Sequence, residues 1–159
     1  MSGIPYDDLK TWRSSYPADV FAQQFEKMAA GFFEAIPVLE KAVSTAPREK
    51  KTSVKAELSY TKVVRIHFAS VANQVRYVML RDEYQSPDVT PERKTEINGK
   101  MIELIEKEIS LTKELHALTL DDSRIGFEPS NQYFYVPNDL LEKIVSCKQI
   151  LEQLKNVKI

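Results

Sequence analysis

At 159 residues and 18.3 kDa the chain is long enough for one domain that buries roughly 70% of its unfolded surface, so a core can form without disulfides or metals. Hydrophobic residues at 43%, charged residues at 28% and a net charge of -1 fit neither disorder nor a membrane span. Only four glycines, against an average usage of about 7%, argue against a turn-rich β-sandwich or barrel and against glycine-rich phosphate loops.

Residues 1–16 carry Trp12 and Tyr16 without a period and read as an irregular lead-in. From Pro17, the residues Phe21, Phe25, Met28, Phe32, Ile36, Leu39 and Val43 recur at helical steps, predicting a first helix to about Thr45. Pro37 lies inside it and predicts a kink or short break, because proline removes a backbone donor and crowds the preceding turn. A second pattern runs from Pro47 to about Gln85 through Val54, Leu58, Thr61, Val64, Phe68, Val71, Val75 and Val78. At 1.5 Å per residue that helix is on the order of 55 Å long, which implies a bundle or an extended arm. Thr90 followed by Pro91 predicts a capped restart. The third helix, with Ile97, Met101, Leu104, Leu111, Leu115 and Leu118 on its stripe, ends near Leu120, and Glu96/Lys100 and Glu103/Lys107 are spaced for ion pairs. Residues 121–136 lose the period. Pro137 restarts a last helix whose Leu140, Ile144, Cys147, Leu151 and Leu154 follow heptad spacing. The expected fold is all-α: a single helical domain over residues 1–159, an antiparallel four-helix bundle with an irregular lead-in and one long aromatic loop before the last helix. Four prolines, Pro17, Pro47, Pro91 and Pro137, are expected to mark helix starts.

Chemistry-bearing motifs are few. His67 and His116 lack the Glu-x-x-His spacing of a di-iron bundle, since Val64 and Lys113 stand three before them. With the lone Cys147 they form no zinc spacing either, so no metal or other cofactor is expected. No local nucleophile signature occurs, the carboxylates of the third helix read as solvated ion-pair partners, and no catalytic residue is assigned. The second helix is basic, with Arg48, Lys50, Lys51, Lys55, Lys62, Arg65, Arg76 and Arg81 against Glu49 and Glu57. On a chain of net charge -1, neutralisation by the acidic helices beside it is favoured over a nucleic-acid partner. No membrane partner is expected.

The segment Ser123–Tyr135 concentrates Arg124, Glu128, Asn131 and Gln132 as hydrogen-bonding groups with Phe127, Tyr133, Phe134 and Tyr135 as flat faces. Such a loop suits stacking on sugar rings, docking on another domain, or closure of the bundle end. The candidate carbohydrate-binding or docking residues are Arg124, Phe127, Glu128, Asn131, Gln132, Tyr133 and Tyr135.

This segment, SRIGFEPSNQYFY, followed by Pro137-Asn138-Asp139-Leu140-Leu141-Glu142-Lys143, resembles a block found in large bacterial glycoside-hydrolase-like proteins. Trp12-Arg13-Ser14-Ser15-Tyr16-Pro17 and Gln24–Gly31 resemble a stretch upstream in the same group. The resemblance implies a noncatalytic helical accessory domain, cut from a longer protein and following a barrel-type catalytic domain similar to hexosaminidases and glucuronidases. The barrel would be the partner and would carry the nucleophile and acid, with an oligosaccharide as a further partner. Pro129 stands where the group has a small residue and Gln132 where it has histidine, which places any proton transfer at Gln132 in doubt. The alternative is a stand-alone helical interaction module using the basic second helix or the apolar rim. The compartment is left open, a periplasmic or cell-surface parent being one option.

Overall fold

A one-turn helix, α1 (Leu9–Trp12), stands in the lead-in: the Asp8 carboxylate caps it by accepting from the Thr11 backbone N–H at 3.0 Å. In this computed structural model the described residues are 8–128, 132–133 and 135–157, with the backbone alone for Glu128, Gln132 and Tyr133. The longer elements are α2 (Ala18–Thr45), α3 (Lys51–Tyr84), α4 (Pro91–Asp121) and α5 (Pro137–Lys155). Between α4 and α5 lie two-residue strands, β1 (Phe127–Glu128) and β2 (Gln132–Tyr133), paired antiparallel with Phe127 opposite Tyr133. The expected all-helical bundle forms, and part of the expected aromatic loop is a small hairpin.

Two of the four prolines act as the sequence predicts. Pro91 and Pro137 occupy the first helical turn, where the missing N–H costs nothing. Thr90 Oγ1 caps α4 by accepting from the Arg93 N–H at 3.3 Å. At α5 the Asp139 carboxylate accepts from the Val136 N–H at 2.8 Å. Pro47 instead ends α2: it forces Ala46 into extended backbone (ψ 139°), and a turn through Lys50 precedes α3, which begins four residues later than Pro47. Pro17 is the residue before α2 rather than its first. Pro37 does not break α2. Pro37 and Phe33 are both exposed, so the Phe33 carbonyl that loses its intrahelical donor faces water.

Packing runs serially, α2 on α3, α3 on α4 and α4 on α5, and no seam joins α2 to α5 to close the ring. Three core clusters follow. Leu9, Ala22, Val75 and Val78 tie α1 and the start of α2 to the end of α3. Ile66, Leu115, Ile125 and Leu140 join α3, α4, α5 and the turn before the hairpin. Ile105, Ile109 and Cys147, with Tyr77, Ile144 and Leu151 against them, extend that seam. The predicted α5 heptad is therefore its buried face. Replacing Ile66, 1% exposed, with alanine is expected to cost about 3 kcal/mol, because its cluster unites three helices and cannot collapse into the void. Chemical denaturation monitored by circular dichroism measures it.

The expected neutralisation of the basic face by neighbouring helices is seen for Lys62, Arg65 and Arg76 and not at the start of α3, where no ion pair is made by Lys51 or Lys55 among the described residues. Lys62 pairs with Glu40 at 3.1 Å, Arg76 with Glu26 at 2.8 Å and with Asp19, and Arg65 with Glu114. On α4 Lys100 pairs with Glu96 at 2.6 Å, and Arg93 bridges to Glu83 at 2.7 Å. Hydrogen bonds from Lys100 and Arg93 bring Glu96 down to about 2, and Arg93 likewise lowers Glu83. Groups whose folded pKa is depressed stabilise the fold above their unfolded pKa, and that stabilisation disappears as pH falls through the folded value. The thermal midpoint should accordingly be level from about pH 7 to 5 and fall below about pH 4.5, less steeply in high salt because these pairs are exposed. Calorimetry across pH at two salt concentrations checks this; a midpoint that rises on acidification contradicts it.

Among the described residues no helix is long and apolar enough to cross a membrane.

Candidate functional site

The end of the bundle formed by the close of α4, the hairpin and the start of α5 carries the segment singled out by sequence. The Arg124 side chain is exposed, and its guanidinium binds the Asp122 carboxylate at 2.7 and 2.9 Å and lies 5.8 Å from the Tyr60 ring centre. Asp122 is held below its usual pKa by these bonds. Gly126 has φ of 89°, and its missing Cβ lets the Tyr135 backbone and ring close over it. Tyr135 then packs with Ile66, Leu115, Ile125 and Leu140, and burial raises its phenol pKa. Phe127 is 56% exposed, as are Leu120 of the last turn of α4 at 66% and Leu141 of the second turn of α5 at 46%. Thus Tyr135 is an internal part of this end, while Arg124 and Phe127 are on its surface. Asn131, Pro129 and Phe134, and the side chains of Glu128, Gln132 and Tyr133, lie outside the described residues.

A second site was not anticipated. The Glu108 carboxylate, 8% exposed, sits between α3, α4 and α5 and is not a solvated ion-pair partner, contrary to expectation. It accepts from Ser70 Oγ at 2.5 Å and from Asn73 Nδ2 at 3.0 Å, and pairs with Lys143 Nζ at 2.5 Å. Lys143 also donates to Ser70 Oγ at 3.1 Å. Each carboxylate oxygen is therefore satisfied, which is the condition for burying it. Two cavities flank the group, of about 190 and 250 Å³, the larger lined by His67, Thr112, Tyr135 and Leu140. Desolvation at this wall, then the Lys143 charge, lowers the His67 pKa below 6.5. Cys147, one turn from Lys143, is buried, and burial with the Glu108 charge raises its thiol pKa, leaving it an unreactive core residue.

Ser70 with a carboxylate and an amine at hydrogen-bond distance has the parts of an activated nucleophile. The backbone around it argues otherwise. Ser70 is in the middle of α3, where neighbouring N–H groups already donate to carbonyls four residues back, so no pair of amides converges on a developing oxyanion. The cluster is a buried polar tie between three helices. Its signal was present in sequence: Ile97, Met101, Ile105, Glu108, Thr112, Leu115 and Thr119 keep one heptad-like spacing, and all seven are buried. Among the described residues no group of three or more His, Cys, Asp or Glu is arranged to hold a metal.

No protein-family model, curated protein or solved structure matches this chain, and none links it to glycoside-hydrolase-like proteins.

Proposed function

We propose that this chain is a noncatalytic helical docking module whose hairpin end packs against a neighbouring domain. The observation that carries this reading is the exposure of Leu120, Phe127 and Leu141, three apolar side chains at the close of α4, in the hairpin and at the start of α5. Direct sugar recognition draws less support from Tyr135, which packs against the core, and keeps Arg124 as an exposed hydrogen-bonding group. That the neighbour is a sugar-processing barrel rests on the resemblance of Trp12–Gly31 and Ser123–Lys143. Pairing of Lys62, Arg65 and Arg76 with neighbouring helices weakens the stand-alone reading over that part of the basic face.

Binding of this chain to the domain encoded beside it, measured by calorimetry, tests the proposal. The double variant Leu120→Asp/Phe127→Ala should weaken binding at least tenfold while leaving the helical signal unchanged, because both side chains are already in water. Tyr133→Ala with undiminished docking but lost oligosaccharide binding would instead favour the sugar reading. Wild-type strength in the double variant would remove the proposal.

A further inference from the structure

The helix α2 is long, apolar and incompletely covered. From Gln23 to Arg65 not one residue is buried, although the stretch includes Phe25, Phe32, Ile36, Leu39, Val43, Val54 and Leu58. The whole chain exposes 10562 Å². A compact monomer of its 18.3 kDa mass would expose about 8,100 Å². The excess is larger than the roughly 800 Å² that each partner contributes to a standard interface.

Two seams run along α2. Phe25, Ala29, Phe32, Ile36, Leu39 and Val43 face α3, with Phe25 and Phe32 stacked on Phe68 at 6.2 and 5.9 Å. One residue back, Gln24, Met28, Gly31, Ala35, Val38 and Ala42 repeat the same four-three spacing without a charge. None of these is buried, Val38 is 69% exposed, and a Cβ on Gly31 would meet nothing within 4 Å. On this open, uncharged stripe a glycine permits another backbone to approach closely.

We infer that the stripe is covered by α2 of a second copy of this chain, crossing antiparallel near Gly31. In that register Met28 of one copy lies over Gly31 of the other and Gln24 over Ala35. Val38 meets the surface depression, about 430 Å³, lined by Val20, Phe21 and Gln24. The charges beside the stripe, Lys27, Glu34 and Lys41, select the direction. An antiparallel crossing here brings Lys27 of each copy beside Glu34 of the other, twice by symmetry. A parallel one sets these charges against the apolar seam that faces α3. Covering α2 in this way supplies the fourth packing surface that the open bundle lacks within one chain.

Sedimentation equilibrium of the full chain at about 50 μM should give twice the 18.3 kDa mass. Gly31→Glu, which has free space in the single chain, should give the mass of one chain with the helical signal unchanged. Glu34→Lys and Lys27→Glu should each weaken association about tenfold or more, and Lys27→Glu/Glu34→Lys together should restore it to within about threefold. Leu120→Asp/Phe127→Ala should leave the mass untouched, which separates this interface from the hairpin end. A wild-type chain that sediments as one copy, a dimer indifferent to Gly31→Glu, or a double swap as weak as the single variants would overturn the inference.

Discussion

Lys143→Met is expected to destabilise the fold by about 2 kcal/mol, and most of that loss should return when Glu108→Leu is added. Removing one member of a buried ion pair leaves an uncompensated charge and typically costs about 3–5 kcal/mol. The lower figure applies here because the Lys143 side chain is 41% exposed, so water reaches its place, and because Ser70 and Asn73 still donate to the carboxylate. Glu108→Gln with Lys143 intact should cost less than Glu108→Ala, since the amide oxygen still accepts one of those bonds. Urea denaturation of the wild type, the two single variants and the double variant gives the four free energies needed for a double-mutant cycle on Lys143→Met and Glu108→Leu. A coupling of about 1–2 kcal/mol is expected. Strictly additive losses would mean that Lys143 stabilises by its methylenes alone and not by charge.

Gly126→Ala should be the most damaging change outside the helices, at about 2–3 kcal/mol. A positive φ already disfavours alanine at this position by about 1 kcal/mol, and the new Cβ would collide with the Tyr135 carbonyl oxygen and approach its ring to 3.0 Å. The obstruction is backbone, so it cannot move aside as a long side chain would. Tyr135 should then leave the Ile66, Leu115 and Leu140 cluster, which is visible as increased tyrosine exposure in near-ultraviolet circular dichroism. Gly99→Ala is the control: that position is helical and open, and the substitution should stabilise by about 0.5–1 kcal/mol. Equal effects at the two glycines would show that the hairpin has no bearing on the core.

The helices were legible where one rule acted alone. Thr90-Pro91 capped α4, and the α5 heptad of Leu140, Ile144, Cys147, Leu151 and Leu154 is the face that packs, because amphipathic period and burial coincide there. The period on α3 revealed only one of two faces. Val54 to Val78 marks the side turned to α2, while Ile66, Ser70, Asn73 and Tyr77, which meet α4 and α5, follow a second stripe that the first obscured. On α4 a carboxylate at a heptad position read as a surface charge, since sequence does not reveal that Lys143 arrives opposite it from another helix. In the loop, counting Arg124 and Tyr135 as ligand groups was reasonable by residue type. The structure packs Tyr135 against the Ile66 cluster, while Arg124 keeps an exposed side chain beside Asp122.

Length, low glycine content and apolar period by themselves determined that this protein is a set of long antiparallel helices, because helix formation and its amphipathic face are local properties of the chain. Only the tertiary structure decided which charges are buried together and which apolar stripe is left open. Glu108 with Lys143, and the uncovered flank of α2, depend on how helices distant in sequence are rotated toward one another, and no local pattern encodes that rotation.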